Sequence, residues 1–80
     1  MKIRVKLFGE FSKYKPEWAE WPTFWYEAQE GTSLQNLLDS IGIPRSSPKT
    51  LVHNHRAGKL EADLQDGDIV AVFPPVAGGG

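Results

Sequence analysis

The clearest pattern along the chain is a strict alternation of apolar and basic residues over residues 2–7. Every second residue is apolar, and the residues between them are lysine or arginine. Successive side chains of an extended chain point to opposite faces, so one face here is apolar and the other is charged. The pattern predicts a first strand that lies on a core with its apolar residues: Ile3, Val5 and Leu7.

A second alternation covers residues 22–29 and predicts a second strand. Its core face would carry Phe24, Tyr26 and Ala28, and its other face Thr23, Trp25 and Glu27. The segment between the two strands, residues 10–22, contains two prolines and has no clean period. It is predicted to be a loop with a helical turn near residues 11–14, so the two strands should pair in antiparallel fashion.

A helix is predicted to follow the turn at residues 30–31. Thr32 would cap its first turn by accepting a hydrogen bond from the amide of Gln35, whose side chain would reach back. Gly42 is expected in the left-handed conformation after the last helical residue, and Pro44 prevents the helix from continuing. Between these signals, apolar residues recur at the spacing of one helical face: Leu34, Leu37, Leu38 and Ile41.

The second half of the chain predicts two further strands. The first is short and covers residues 51–54, with a turn at residues 55–58. After a strong turn signal at residues 65–68, the apolar run of residues 69–73 predicts a strand that is buried on both faces. Pro74 and Pro75 end it.

The order of these elements is β, β, α, β, β, which predicts an α+β fold of the β-grasp (ubiquitin-like) type. We expect a mixed four- to five-stranded sheet with one main helix packed on one face. The first and last strands would be parallel neighbours at the centre. Residues 1–75 would form this domain, and residues 76–80 a flexible glycine tail.

Composition narrows the possible functions. The 80 residues are sufficient for one small core, and the absence of cysteine excludes a disulfide framework, a thiolate zinc site and a cysteine nucleophile. The net charge is −1, and acidic and basic blocks alternate along the chain. There is no continuous basic surface for nucleic acid and no apolar run long enough for a membrane span, so neither partner is expected. The N-terminus is typical of a strand rather than a signal peptide, and we expect a cytoplasmic protein.

The C-terminus carries the most informative motif. Three glycines follow Pro74 and Pro75, with Val76 and Ala77 between. Glycines have no side chain and adopt any backbone angle, so a glycine tail fits a narrow tunnel and can be shaped by an enzyme. The prolines stiffen the point where the tail leaves the domain. A frayed end without a function is the competing interpretation.

Residues 66–79 resemble the C-terminal signature of the MoaD/ThiS family of ubiquitin-like sulfur carriers. The shared features are Asp66-Gly67-Asp68, an apolar strand, Phe73-Pro74-Pro75 and Gly78-Gly79. The first strand, which reads Lys-Leu-Phe at residues 6–8, agrees as well. Within the family, the chain is most similar to the small subunit of molybdopterin synthase.

The resemblance implies a chemistry that the main chain performs. An E1-like adenylyltransferase would use ATP to adenylate the terminal glycine carboxylate, and a sulfur donor would replace AMP to leave a thiocarboxylate. Gly79 and Gly80 would be the reactive end, and no permanently bound cofactor or metal would be needed. The partner-binding residues would be Phe73, Pro74, Pro75, Val76, Ala77 and Gly78.

The chain would then be a non-catalytic small subunit, or a sulfur-carrying co-substrate, of a sulfurtransferase. A larger synthase subunit would receive the tail in the molybdopterin pathway. Thiamine, cysteine and tRNA thiolation are alternative destinations of the sulfur. A protein modifier joined to lysine, or an interaction domain with an inert tail, would have the same body.

Two features depart from a simple family pattern. The family usually ends at Gly-Gly, which matches Gly78-Gly79, and Gly80 lies one residue further. Gly80 would be used directly, trimmed, or be an addition to the natural chain. The other feature is the density of aromatic residues over residues 18–26. Core filling is favoured for Phe24 and Tyr26, whereas core edge and partner contact are nearly balanced for the three tryptophans: Trp18, Trp21 and Trp25.

Two pairs of polar residues are candidate sites. His53 and His55 would share a face if both lay on a strand and could bind zinc with a third ligand, but the sequence identifies none, and exposed residues at a hairpin are favoured. Asp66 and Asp68 resemble a carboxylate pair, but their position around Gly67 favours a role as turn formers.

Overall fold

The computed structural model describes residues 1–75. In chain order, its elements are β1 (Lys2–Leu7), a 3₁₀ helix (Gly9–Tyr14), β2 (Thr23–Glu27), α1 (Leu34–Ile41), β3 (Thr50–His53), β4 (Arg56–Ala57) and β5 (Ile69–Phe73). The predicted tail, residues 76–80, lies outside the described residues. No helix in residues 1–75 is long and apolar enough to cross a membrane.

The five strands form one mixed sheet in the order β2-β1-β5-β3-β4. β1 and β5 are parallel neighbours, and the other pairs are antiparallel. The first and last strands therefore lie next to each other as predicted, and β5 is central. Because β1 and β5 run in the same direction, their carboxyl ends lie together at one end of the sheet.

The core lies between one face of this sheet and α1. The alternating apolar residues of β1 are fully buried, as are the apolar residues of α1 that face the sheet. Phe24 is buried and Tyr26 packs on the core, which confirms the predicted face of β2. The buried cluster is completed by residues from the loops: Phe11, Ala19, Ile43 and Leu64.

The N-terminus of α1 corrects the predicted cap by one residue. Ser33 is the N-cap, and its hydroxyl accepts a hydrogen bond from the amide of Asn36 at 3.1 Å. The Thr32 hydroxyl instead donates to the carbonyl of Gln29 at 2.7 Å. The Thr32 carbonyl also accepts from the amide of Leu64 at 2.9 Å, outside the helix, and α1 begins at Leu34.

The C-terminus of α1 is as predicted. Gly42 has a φ of 101° in the left-handed region, and its amide donates to the carbonyls of Leu38 and Asp39. Ile43 returns to the core and its amide also donates to Leu38. These contacts satisfy carbonyls at the end of the helix that have no partner within it.

The turn after β3 lies earlier than predicted. Asn54 and His55 have positive φ angles of 51° and 69° and reverse the chain between β3 and β4. Residues 56 and 57, predicted to belong to the turn, instead form the short strand β4 against β3. A reversal over two residues leaves the following residues in register to pair, which explains the extra strand.

The prediction that β5 is buried on both faces is only partly right. Val70 and Val72, which face α1, are fully buried, and Ala71 is nearly so. Ile69 and Phe73 are half-buried, because α1 covers one face of the sheet and no second layer covers the other in the described structure. The run of apolar residues therefore supplies both a core strand and part of an open apolar surface.

Candidate functional site

The tail leaves the domain from the centre of the sheet. Phe73 is the last residue of β5 and is half-buried, Pro74 is half-buried and Pro75 is exposed. The structure thus places these three predicted partner-binding residues at a surface where they are accessible. The other predicted site residues, Val76, Ala77, Gly78, Gly79 and Gly80, lie outside the described residues.

Phe8 packs on Phe73 at the point of exit. The two rings are parallel within 1°, and their centroids are 4.4 Å apart. The Phe8 amide donates a hydrogen bond to the carbonyl of Val72 at 2.9 Å, so the backbone of one strand end is tied to that of the other. The family resemblance at residues 6–8 includes Phe8, but no pattern in the sequence predicted its contact with Phe73.

Gly9 lies directly against Pro74. It has a φ of 57°, in the left-handed region that favours glycine, and a β-carbon built on it would lie 2.5 Å from Cγ of Pro74. Any other residue at this position would push the proline ring away. We call Phe8, Gly9, Phe73 and Pro74 the tail seat, because together they fix where and in which direction the chain leaves β5.

An open apolar stripe continues from the tail seat across the outer face of the sheet. It consists of Val52, Ile69 and Ala71 together with the two phenylalanines of the tail seat. These residues line a shallow groove of about 200 Å³, with Lys6 and His55 at its border. A groove that is apolar in its centre and charged at its rim has the character of a protein-binding surface.

Basic side chains of β1 border the stripe on the side of β2. Lys2, Arg4 and Lys6 project from the outer face, as the alternation predicted. The Arg4 guanidinium lies over the ring of Trp25, 5.2 Å from its centroid. This contact separates Trp25 from the apolar stripe.

The three tryptophans are on the surface, and none of them fills the core. Trp18 and Trp21 are each 66% exposed and Trp25 is 49% exposed. Trp18 touches the core with one edge, because its ring meets that of Phe24 at 86° with a centroid distance of 5.6 Å. Of the two alternatives that the sequence left open, core edge describes Trp18, and partner contact stays a prediction for the three exposed rings.

A polar network at the opposite end of the sheet involves Asp68, which the sequence predicts to be a turn former. Its carboxylate is buried and accepts three hydrogen bonds: from Nε2 of His53 at 2.7 Å, from Nδ2 of Asn54 at 2.9 Å, and from the amide of Gln65 at 2.9 Å. Burial by itself would raise the pKa of Asp68, but the hydrogen bonds from Asn54, His53 and Gln65 together hold this pKa below its ordinary value. The network ties β3 to the start of β5.

His53 and His55 do not share a strand face. β3 ends at His53, and His55 lies in the turn that follows, so the geometry on which a zinc site would depend is not formed. No group of three or more histidine, aspartate or glutamate side chains within residues 1–75 is placed to hold a metal ion. A cavity of about 480 Å³ also lies at this end, lined by His53, Asn54, Arg56, Ala57, Lys59 and Ala62.

The geometry explains why the tail seat was not predicted. Leu7 and Val72 are direct partners in the parallel pairing of β1 and β5. The same register places Phe8 beside Phe73 and, one residue further, Gly9 beside Pro74. Each residue alone is an ordinary signal for the end of a strand. Leu7 and Ile69, the nearest residues of the two strands, are 62 positions apart in the chain. Only the register between these strands shows that the four residues form one site.

The mixed sheet with one helix, and a central last strand that leads to a glycine-rich terminus, define a ubiquitin-like β-grasp protein. The ThiS family model matches residues 5–79, and the chain belongs to the ThiS family. No curated protein sequence matches the chain.

Solved structures agree with this fold. SAMP1 of Haloferax volcanii is 22% identical with a TM-score of 0.73, covering 99% of this chain and 100% of that one. A putative molybdopterin converting factor subunit 1 of Pyrococcus furiosus is 27% identical with a TM-score of 0.72, covering 94% and 98%. A complex of subunits 1 and 2 of the molybdopterin-converting factor of Helicobacter pylori contains a chain that is 24% identical with a TM-score of 0.61, covering 99% and 100%.

Proposed function

We propose that this protein is a sulfur carrier whose terminal glycine carboxylate is the working group. An E1-like adenylyltransferase joins this carboxylate to the AMP moiety of ATP and releases pyrophosphate. A sulfur donor then displaces AMP and leaves a thiocarboxylate, which donates its sulfur to an acceptor. The observation that carries the proposal is the family match, which extends through the glycine motif to Gly79.

The tail seat supports this function physically. A carboxylate is a poor electrophile and needs a good leaving group, so the activating enzyme must bring the tail to ATP in a defined geometry. Phe8 and Gly9 fix the exit of the chain at Phe73 and Pro74, and the glycines beyond can then adopt the backbone angles that the enzyme requires. The domain provides recognition and direction, and its partner provides the catalysis.

The pathway that we propose is molybdopterin biosynthesis, for the molybdenum or tungsten cofactor. The P. furiosus chain is named a putative molybdopterin converting factor subunit 1, and the H. pylori chain belongs to a complex of subunits 1 and 2 of the molybdopterin-converting factor. The apolar stripe next to the tail seat offers a surface on which a larger synthase subunit could dock. Carriers for thiamine, cysteine or tRNA thiolation would use the same tail chemistry.

A ubiquitin-like modifier is the second candidate function, and the likeness to small archaeal modifier protein 1 favours it equally. In that case, the activated glycine would form an amide bond with a lysine amine and release AMP. The reaction up to the acyl-adenylate is common to both functions. The two functions differ only in the atom that displaces AMP from the acyl-adenylate: sulfur in the carrier, and a lysine nitrogen in the modifier.

Intact mass spectrometry tests the proposal. The chain is incubated with the E1-like enzyme of its host, ATP and a sulfur donor, and a gain equal to the exchange of one oxygen for sulfur is expected at the C-terminal glycine. A matched chain that lacks Gly79 and Gly80 should show no gain, whereas a chain that lacks only Gly80 shows which glycine reacts. Tryptic peptide mapping of proteins from the host detects the alternative as residues 60–80 joined to a lysine, because Lys59 is the last basic residue of the chain.

The carrier function is refuted if the full chain forms neither the acyl-adenylate nor the thiocarboxylate under these conditions. Hydroxylamine, which converts an acyl-adenylate to a stable hydroxamate, separates a failure of activation from a failure of sulfur transfer. A lysine adduct without any thiocarboxylate would replace the carrier by the modifier.

A further inference from the structure

The loop of residues 15–22 forms a surface that the tail chemistry does not explain. We call it the tryptophan surface; its aromatic members are Trp18 and Trp21. Each of these two residues is 66% exposed. An exposed tryptophan leaves a large apolar ring in contact with water, which is unfavourable. Tryptophan is also enriched at the centres of protein interfaces.

The loop is anchored, so the exposure of its tryptophans does not result from fraying. Ala19 is buried in the core, its amide donates to the carbonyl of Pro16 at 3.0 Å, and its carbonyl accepts from Nζ of Lys15 at 2.7 Å. At the end of the loop, the carbonyl of Pro22 accepts from the amide of Leu7 at 2.8 Å. The fold therefore holds two large aromatic side chains outward on an ordered backbone, which lowers the entropic cost of binding.

The tryptophan surface lies at the same end of the sheet as the tail seat. β2 is antiparallel to β1, so the start of β2 lies beside the end of β1, and β5 ends beside it on the other side. Pro22 is therefore about two strand spacings, or about 10 Å, from Val72. An enzyme that receives the tail at Phe73 and Pro74 would cover this distance with an ordinary interface.

The loop carries two acids, Glu17 and Glu20, and one base, Lys15, whose Nζ donates to a carbonyl of the loop, so its net charge is negative. Glu17 and Glu20 flank the two tryptophans of the loop and are exposed, and neither forms an ion pair within the described part of the chain. Aromatic rings and carboxylates together bind cationic side chains, through cation–π contacts and ion pairs. Outside this surface, on the outer face of β2, Trp25 makes a cation–π contact of this kind with the Arg4 guanidinium.

We propose that the tryptophan surface is a second docking site, separate from the apolar stripe, and that it binds lysine and arginine side chains on the E1-like enzyme that adenylates the tail. This inference rests on the proposed function. The site contributes to affinity and to the choice of enzyme, and it takes no part in the transfer of AMP. Activation would thus depend on two contacts, the tail seat for geometry and the tryptophan surface for recognition.

Steady-state kinetics of ATP–pyrophosphate exchange, with the carrier as the varied substrate, test the site. The double variant W18A/W21A is expected to raise KM for the carrier about tenfold with kcat retained, because two aromatic contacts are lost. We expect KM of the wild type to increase with salt, and the charge reversal E17K/E20K should raise KM similarly and remove this salt dependence. Matched controls are L60A, which truncates an apolar side chain that is 40% exposed, and E61K, which reverses an exposed acid outside the loop.

Binding of the full chain to the same enzyme is measured in parallel without ATP, by isothermal titration calorimetry. If exchange fails even for the wild type, but the enzyme binds and W18A/W21A weakens the binding, the proposed function fails and the docking site stands. No binding of the wild type, or equal affinity and equal KM for wild type and W18A/W21A, overturns the docking site. Self-association of the wild type that W18A/W21A abolishes, with KM unchanged, would assign the surface to a second copy of the chain and would also overturn it.

Discussion

Gly9 packs directly against the ring of Pro74, and no other residue fits in its place. Two independent properties make this so: its left-handed φ of 57°, and the distances of 2.5 Å and 3.1 Å that a β-carbon would have to Cγ and Cδ of the proline ring. The first property is a local feature of the backbone. The second couples the end of β1 to the residue at which the chain leaves β5.

Substitution of Gly9 is expected to disturb the exit of the tail. G9A should cost about 1–2 kcal/mol for the left-handed conformation and more for the displaced Pro74. G31A is the matched control, because Gly31 also has a positive φ, 86°, but nothing lies within 4 Å of a β-carbon there. Urea denaturation gives both costs, and the ATP–pyrophosphate exchange rate should fall for G9A alone.

The double variant G9A/P74A separates the cost of the clash with Pro74 from the cost of the left-handed backbone at residue 9. In the double variant G9A/P74A, the ring atoms that clash are absent, so the extra cost of G9A over G31A should disappear. If G9A and G31A have equal free energies of unfolding and equal exchange rates, Gly9 is needed only for its own backbone conformation.

The stack of Phe8 on Phe73 should matter more for function than for stability. F73A removes a half-exposed ring whose aromatic contact contributes about 0.5–1.5 kcal/mol. Since the ring also belongs to the apolar stripe, we expect KM for the carrier in adenylation to rise about tenfold or more, as for an interface hot spot. Denaturation and steady-state kinetics measure the two effects.

L60A serves again as the control, because Leu60 is exposed to almost the same fraction as Phe8, 40% against 39%. F8A should change KM and stability in the same direction as F73A, since either variant removes the same stack. An F73A protein with normal KM would mean that the stripe is not a contact surface for the activating enzyme.

The Asp68 network predicts a loss of stability in acid. The folded-state pKa of Asp68 lies below its ordinary value of 3.8, so the stabilisation is complete above that value and is lost as the pH falls through the lowered pKa. The free energy of unfolding should therefore decrease between about pH 5 and pH 2. Urea titrations at a series of pH values measure the decrease.

D68N should reduce this pH dependence and cost about 1–3 kcal/mol at neutral pH. An asparagine amide would face a donor in either orientation, because Oδ1 accepts from Asn54 and Oδ2 accepts from both His53 and Gln65. D39N is the control: a hydrogen bond from Arg45 lowers the pKa of Asp39 as well, but this pair is exposed. Equal acid sensitivity of D68N and wild type would show that other groups cause the loss.

The corrected helix cap predicts unequal losses of stability at two adjacent positions. S33A removes the hydroxyl that caps Asn36 and should cost about 1 kcal/mol. T32A removes a hydroxyl that donates to the exposed turn at Gln29 and should cost less. Thermal or urea denaturation of both variants compares them, and a larger cost for T32A would restore Thr32 as the cap.

The sequence by itself determined the elements whose signals are local. The alternation of β1, the apolar face and glycine end of α1, and the class of the fold all followed from periodicity and caps, which act within a few residues. The C-terminal motif also indicated the family and placed Phe73, Pro74 and Pro75 at the exit of the tail. These predictions depended on contacts between neighbours in the chain.

The tertiary structure alone decided which residues meet across the sheet. The parallel register of β1 and β5 brings Gly9 under Pro74, and the pairing of β3 with β5 brings His53 to Asp68. It also decided that one face of β5 stays open and that the tryptophans stay outside. Such outcomes depend on strand register and on the number of layers, since a shift of one residue exchanges the two faces of a strand, and no local pattern encodes which strands become neighbours.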